Sequence, residues 1–245
     1  METTLDEVLS VLSQGEIMVK GEFLWGSNYT FLAQVDQDRR VLKAVYKPSR
    51  GERPLWDFPS SSLARREVAA FLVSEALGWN FVPATVYRMN GPLGSGSLQL
   101  YIEHDPEYHY FNFSTEDRQR LRPVVLFDML INNADRKGSH ILRGGDNHLW
   151  LIDHGVCFHV EDKLRTVIWD FVGEPVPESL CSDLWSFREK LMPSNGKPSA
   201  LTEKLLMYIN HREIKALSKR AEWLTEIGIF PPPDPGRRAF PWPQI

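Results

Sequence analysis

The stretch "NNADRKGSHILRGGDNHLWLIDHG", residues 132–155, places charged side chains directly after two apolar segments. The apolar helical run "VVLFDMLI" ends just before this stretch, and Asp135 and Arg136 follow it. A predicted hairpin with a turn over residues 144–147 comes next, and Asp153 ends its apolar second strand. Because an unpaired charge beside an apolar segment is costly, we expect these side chains to meet a partner or a ligand.

A third charge of this kind lies upstream, where Lys47 ends the predicted strand "AVYK". Taken singly, each residue has an ordinary explanation: a solvated lysine, a structural ion pair at Asp135 and Arg136, and an acid that forms a turn. Taken together and in this order, they are the groups that phosphoryl transfer requires. Lys47 would hold phosphates, Asp135 would accept the proton of the attacking hydroxyl, and Asp153 would bind the magnesium that bridges the phosphates.

Composition limits the other classes of function. The chain has 245 residues, 42% of them hydrophobic, and a formal net charge of −4, which supplies no overall field for nucleic acid or anionic lipid. No signal peptide or transmembrane segment is visible, so the expected compartment is the cytoplasm. The two cysteines, Cys157 and Cys181, are far apart and predict buried free thiols.

The pattern along the chain predicts an α+β protein. Residues 4–14 resemble a capped helix, and antiparallel strands follow to about residue 48. A helix closed by Gly78 and two further strands complete a β-rich part that ends near residue 103. The rest of the chain is mostly helical, and its Pro-rich end, "FPPPDPGRRAFPWPQI", predicts an irregular strap.

The order and spacing of these segments resemble the phosphatidylinositol 3- and 4-kinase-like family of atypical kinases. The type II phosphatidylinositol 4-kinases look most similar, and bacterial persistence-toxin kinases share a related Asp-Arg loop. The blocks that carry the resemblance are "GSNYTF", "VYKP", "REVAAFLVSEALGWNFVPAT", "GSLQLYIE", "NNADRKGSH" and "LIDHGVCF", which fall between about residues 21 and 160. The resemblance implies a two-lobed kinase-like fold, with an N-terminal lobe over 1–103 and a helical C-terminal lobe over 104–245.

The resemblance also implies a site for ATP. Carried over to this sequence, the phosphate-covering loop is Gly26, Ser27 and Asn28, and the phosphate-binding lysine is Lys47. Its ion-pair partner on the next helix is Glu67, with Glu75 as the alternative. The adenine would bind backbone near Ile102, in a hinge formed by Tyr101, Ile102 and Glu103.

The resemblance assigns Asp135 and Arg136 to the catalytic loop and Asp153 to the metal. The family usually has an asparagine as a second magnesium ligand where this sequence has His140. An imidazole suits manganese better than it suits magnesium, so the metal is expected to be Mg²⁺ or Mn²⁺ held by Asp153 and His140. Lys137 replaces a histidine that is common in the lipid kinases, which indicates an altered substrate.

Two alternatives to an active kinase stay open at this point. The first is an ATP-binding pseudokinase that acts as a regulatory or scaffold module, which the replacement of asparagine by His140 favours. The second is a histidine-based metal hydrolase built from the histidines of residues 140–159, although no HExxH motif is present. For a kinase, the acceptor hydroxyl belongs to an inositol lipid, a soluble polyol or a protein, and the acidic composition favours a soluble acceptor.

Overall fold

The computed structural model describes residues 3–23, 29–193 and 195–245. The first helix, α1 (Leu5–Gln14), begins at a capping box in which Thr4 and Glu7 each accept a hydrogen bond from the other's backbone N–H. It packs Val8, Val11 and Leu12 against the sheet. The helix predicted over 4–14 is therefore confirmed.

A five-stranded antiparallel sheet follows, with the strand order β1-β2-β3-β5-β4. Its strands are β1 (Glu16–Glu22), β2 (Phe31–Gln37), β3 (Arg40–Pro48), β4 (Thr85–Gly91) and β5 (Gly94–Leu100). Lys47 on β3 lies opposite Ser97 on β5. The neighbouring Gly96 allows the strands to approach, because a Cβ there would overlap the carbonyl of Lys47.

Helix α2 (Leu63–Leu77) packs on β4 and β5 and ends at Gly78, whose φ of 76° is in the left-handed region. The helix is buried around most of its circumference, including Arg66 and Glu67. Arg66 Nη2 donates to Glu213 Oε1 at 2.5 Å, and its Nη1 donates to the carbonyl of Cys157 at 2.6 Å. This buried ion pair connects α2 to the last helix of the chain.

The remainder is mainly helical, which confirms the α+β class. Its elements are α3 (Thr115–Gln119), α4 (Arg122–Ile131), β6 (Ile141–Arg143), β7 (Leu149–Leu151), α5 (Glu178–Leu191), α6 (Ala200–Leu206) and α7 (His211–Ile227). Strands β6 and β7 form the predicted antiparallel hairpin. Helix α4 packs against α7, which in turn packs against α5. After Gly228 the chain continues as an irregular segment, and its Phe230 is buried.

Candidate active site

The site lies in a cavity of about 410 Å³ between the five-stranded sheet and the β6–β7 hairpin. Residues of β3, β5, α2 and the segment 101–104 line one wall, and residues of the segments 139–142 and 152–155 line the other. Lys47, Glu67, Tyr101, Ile102, His140 and Asp153 all contribute to the lining. The fold therefore brings together residues that are widely separated in the sequence.

Lys47 lies at the centre of this cavity. Its Nζ donates to the Glu67 carboxylate of α2 and to Asp153 Oδ1, the latter at 3.0 Å. Burial disfavours the ammonium, but the charges of Asp153 and Glu67 outweigh it and raise the pKa of Lys47. The ion pair on α2 forms with Glu67, which decides between the two candidate glutamates.

Asp153 follows β7 in the left-handed region, with φ 63°. A residue with a Cβ rarely adopts this conformation, and such outliers concentrate at functional sites. The side chain is 47% exposed in the cleft, between Lys47 and His140 Nε2, which lies 3.3 Å from Oδ2. Enclosure alone would raise the pKa of Asp153, but Lys47 and His140 hold it below the ordinary value.

His140 is buried, and burial lowers its pKa to about 4; Arg136 and Lys137 act in the same direction while Asp153 opposes them. The imidazole is therefore neutral at pH 7, the state in which histidine binds metal. Its Nδ1 is buried and has no hydrogen-bond partner within the described residues. A neutral imidazole beside an ionised carboxylate is a donor set that fits a divalent cation.

Two protein ligands do not enclose a metal ion. In the described ranges, no cluster of three or more His, Cys, Asp or Glu side chains has the geometry to hold one. Magnesium sites in kinases commonly have one or two protein ligands, and phosphate oxygens and water complete the coordination. The arrangement of Asp153 and His140 thus fits a metal that arrives with a nucleotide, rather than a resident structural ion.

Asp135 does not line the cavity, but the charge of Asp153 reaches it. Burial raises the pKa of Asp135 to about 6, Asp153 adds to this rise, and Lys137 opposes it. Lys137 Nζ lies 3.5 Å from Asp135 Oδ2, and the carboxylate is 32% exposed. The backbone N–H of Asp135 donates to Asn133 Oδ1 at 3.0 Å, which fixes the loop at the end of α4.

Arg136 is directed into the protein and is fully buried. Its Nε and Nη2 donate to Asp128 of α4, and its Nη1 donates to the carbonyls of His140 and Ile152 at 3.2 and 3.0 Å. Its Nη2 also lies 2.8 Å from His154 Nε2. One guanidinium therefore connects α4 to the loops that carry His140 and Asp153.

Sequence reasoning missed four parts of this site. Asp128 interrupts the apolar run "VVLFDMLI", which was a usable signal for a buried partner. His154 is buried, and its backbone N–H donates to Glu67 Oε2 at 2.9 Å. The other two are Gly138 and Gln244: the Gly138 N–H donates to the Gln244 carbonyl at 2.8 Å, so the C-terminal segment contacts the loop after Asp135. No local sequence signal pointed to that contact.

The other residues that the sequence predicted for the site are those of the hinge and of the phosphate-covering loop. Tyr101 and Ile102 line the cavity, and the Tyr101 N–H donates to the Lys43 carbonyl at 3.0 Å. Glu103 pairs with Lys43 at 2.5 Å on the exposed side of this segment. The predicted phosphate-covering residues, Gly26, Ser27 and Asn28, lie outside the described residues.

Protein Rv2133c of Mycobacterium tuberculosis is 40% identical to the chain over 278 aligned positions. The alignment covers 99% of this chain and 97% of the mycobacterial protein. The chain belongs to the Rv2133c family. No protein-family model matches the chain.

A local match connects the Rv2133c family to a plant kinase. Phosphatidylinositol 4-kinase gamma 4 of Oryza sativa subsp. japonica is 27% identical over 124 residues, which are 43% of this chain and 22% of the rice protein. The match covers less than half of the chain, so it does not place the Rv2133c family among the phosphatidylinositol kinases.

Solved structures show which fold this chain has. Hydra Fam20 with sugar is 15% identical, with a TM-score of 0.54 over 91% of this chain and 87% of the other. The Golgi casein kinase with Mn/ADP bound is 14% identical, with a TM-score of 0.54 over 98% and 80%. The Helicobacter pylori proinflammatory kinase CtkA is 9% identical, with a TM-score of 0.53 over 89% and 94%. The fold is therefore that of an atypical kinase, as the sequence resemblance implied.

Among the helices of the described residues, none is long and apolar enough to cross a membrane.

Proposed function

We propose that this protein is an ATP-dependent phosphotransferase that moves the γ-phosphate of ATP to a hydroxyl group. The observation that carries the proposal is the triad of Lys47, Glu67 and Asp153 at a cavity of about 410 Å³ in an atypical kinase fold. In such folds a strand lysine paired with a helix glutamate holds the phosphates, and an aspartate beyond the next hairpin binds the metal. Here the three side chains are already in contact.

The cavity has room for a nucleotide, since small-molecule sites typically occupy about 300–1,000 Å³. Adenine would lie against residues 101–103, where the backbone at Ile102 offers hydrogen bonds. The triphosphate would then extend towards Lys47, which exchanges the carboxylate of Asp153 for phosphate oxygens. Gly26, Ser27 and Asn28, which lie outside the described residues, stay the predicted phosphate-covering loop.

Asp135 is proposed as the general base. A pKa of about 6 leaves the carboxylate ionised at neutral pH and makes it a stronger proton acceptor than an ordinary aspartate. Arg136 makes its hydrogen bonds inside the protein, so it acts as a positioning residue that holds the loops of Asp135, His140 and Asp153 in register. Little covalent chemistry is left for the protein, since catalysis of this kind consists mainly of positioning and charge stabilisation.

The proposed metal is Mg²⁺ or Mn²⁺, held by Asp153 and His140. When bound with ATP, the ion supplies positive charge against the phosphate oxygens. The Golgi casein kinase, which has the same fold, has been seen with Mn/ADP. An imidazole in place of the usual amide oxygen favours manganese over magnesium.

The nucleotide site is tested by Lys47→Met, with Lys43→Met on the same strand as the matched control. Lys47 contacts Glu67 and Asp153, whereas Lys43 forms an exposed pair with Glu103. We expect Lys47→Met to lower transfer of labelled γ-phosphate by roughly 10²-fold, because a charge that stabilises the transition state is lost. Lys43→Met should change it by less than about twofold, as expected for an exposed pair.

Lys47→Met also leaves the buried carboxylate of Glu67 without its cation, so its thermal unfolding is measured alongside. Lys47→Arg keeps the charge and separates loss of fold from loss of phosphate contact. Wild-type transfer in a folded Lys47→Met protein would contradict the proposed nucleotide site.

The metal site is tested by His140→Asn, with His148→Asn in the same hairpin as the control. His148 does not line the cavity, and its Nε2 lies 2.9 Å from the Asn80 carbonyl. We expect the wild type to turn over ATP about tenfold faster with Mn²⁺ than with Mg²⁺, and His140→Asn to reverse that preference. Asp153→Ala should make ATP affinity independent of either metal. An unchanged metal preference in His140→Asn would exclude His140 as a ligand.

The finer part of the proposal is that the enzyme is phosphatidylinositol 3-/4-kinase-like, with an inositol lipid, a soluble polyol or a protein as the candidate acceptor. The local match to the rice phosphatidylinositol 4-kinase agrees with it. Inositol lipid in vesicles, free inositol and related polyols, and a Ser/Thr-rich protein such as casein are therefore offered as acceptors with labelled ATP. We expect transfer to a soluble acceptor. Labelling of vesicle lipid alone would instead assign the protein to the lipid kinases.

The pseudokinase alternative is decided by the same assay. Its supporting observation is His140 where the family usually has asparagine, whereas the retained Lys47, Asp135 and Asp153 speak against it. Tight ATP binding without turnover in either metal would establish it.

The division of the chain into lobes over 1–103 and 104–245 is likewise proposed, since the cavity lies close to that boundary.

A further inference from the structure

A second cavity has a volume of about 470 Å³. Its walls come from the end of α4, the segment 160–169, α7 and the C-terminal segment 231–239. It shares no lining residue with the proposed nucleotide site. Whatever binds here therefore need not compete with ATP.

Positive charge dominates the lining. The cavity is lined by two carboxylates, and Arg237 forms an ion pair with each: with Asp162 at 3.2 Å and with Asp234 at 3.3 Å. Lys219 and Arg238 also line the cavity, and neither makes an ion pair with another described residue. This excess of cations occurs in a chain whose formal net charge is −4. The lining therefore attracts an anion although the whole protein does not.

Arg220 is less exposed than Lys219, Arg237 and Arg238. Its Nε donates to the Leu130 carbonyl at 2.7 Å and its Nη1 to the His159 carbonyl at 3.3 Å, which fixes the guanidinium in the wall. Its buried Nη2 has no hydrogen-bond partner in the part of the chain that the structure describes. Burial lowers the pKa of Arg220 to about 10, so the group is still charged at neutral pH. A charged guanidinium that two carbonyls fix in the wall of a cavity favours an anionic partner.

The rest of the wall is apolar and flat. Trp169 and Trp223 line it together with the proline run 231–233. The indole Nε1 of Trp169 is buried and is a second donor without a partner among the described residues. Aromatic rings beside arginine accept flat molecules by stacking and cation–π contact. Basic side chains beside two indoles thus favour a ligand with an anionic group and a planar apolar body.

From these contacts we propose that the second cavity is a binding site for a small aromatic carboxylate. Its volume is in the range of sites for small organic molecules. The carboxylate would meet Arg220 and Lys219, and the ring would lie against Trp223. A neutral molecule of the same shape would leave the cations unpaired, so charge is the expected source of selectivity.

Isothermal titration of the full chain with three probes tests the proposal: 2-naphthoate, its neutral isostere 2-naphthamide, and acetate. We expect 2-naphthoate to bind at least tenfold more tightly than either of the others, because only it combines ring and charge. Equal affinity for 2-naphthoate and 2-naphthamide would overturn the assignment. So would displacement of 2-naphthoate by saturating ATP, which would place it in the other cavity.

Variants locate the site. Lys219→Met is expected to weaken 2-naphthoate binding several-fold, whereas Lys215→Met, which removes the same charge from α7 without lining the cavity, should leave it unchanged. Arg220→Met should abolish binding if the protein stays folded. If it unfolds, Trp223→Ala decides instead, because this half-exposed indole can be removed without opening the core. Binding that survives both Lys219→Met and Trp223→Ala would refute the site, whether or not the protein is a kinase.

Discussion

Asp135→Asn is expected to reduce phosphate transfer by about 10³-fold while ATP affinity stays within about twofold. The amide keeps the size of the side chain, but it cannot accept the proton of the attacking hydroxyl. A defect in kcat without a defect in binding is typical of a group that acts in the transition state. Transfer of labelled γ-phosphate and titration with ATP measure the two quantities separately. Asp105→Asn, a change of an exposed aspartate, is the control.

The same variant has a second expected result, in stability. The pKa of Asp135 is about 6 in the folded chain against an ordinary value of 3.8, so the folded state binds the proton more tightly than the unfolded state. Stability from this group is therefore present at low pH and is lost as pH rises from about 4 to 6. Above pH 6, Asp135→Asn should raise the free energy of unfolding by about 1–3 kcal/mol, given 1.36 kcal/mol for each pKa unit.

This gain should shrink as pH falls towards 4, which urea unfolding at several pH values would show. A variant that is inactive yet more stable cannot have lost activity by unfolding. Unchanged turnover in Asp135→Asn would refute Asp135 as the base, and lower stability at pH 8 would refute its raised pKa.

Arg136→Met is expected to lower the free energy of unfolding by about 3–5 kcal/mol, because it leaves the carboxylate of Asp128 buried without a cation. Both side chains of this pair are fully buried. The substitution also removes the donors to the carbonyls of His140 and Ile152, so transfer should fall with stability. Urea unfolding monitored by tryptophan fluorescence measures the loss.

The matched control is Arg40→Met, which breaks the exposed Arg40–Glu7 pair and should change stability little, because solvent screens that pair. The double variant Asp128→Leu/Arg136→Met removes both charges and should recover part of the loss. A double variant that is less stable than Arg136→Met would show that the pair is not the source of the effect. If Arg136→Met is as stable as the wild type, the positioning role is wrong.

Features encoded over short distances could be predicted well. The capping box of Thr4 and Glu7 and the left-handed Gly78 mark helix ends through hydrogen bonds within a few residues. The strand with Lys47 and the hairpin before Asp153 follow from apolar runs bounded by turn residues. Each of these patterns acts within one element, so the printed sequence carries the whole signal.

Contacts between distant elements were harder to predict. Glu67 and Glu75 lie on the same helix, and only the packing of α2 beside β3 shows that Glu67 pairs with Lys47. The burial of Arg136 is another such case, because an Asp-Arg pair after a helix has the same local sequence whether it faces the cleft or the core. Likewise, the bond from Gly138 to the Gln244 carbonyl joins residues with no local relation.

By itself, the sequence determined the α+β class, the order of the elements and the lysine and aspartates of the candidate site, since period, turn chemistry and motif order are local properties of the chain. Only the tertiary structure decided which charged side chains from distant elements pair with one another. Lys47 meets Glu67 and Asp153, Arg136 meets Asp128, and the cations of the second cavity converge from α7 and the C-terminal segment. The physical reason is that ion pairing and desolvation depend on distances in space, which distant elements set only when they pack together.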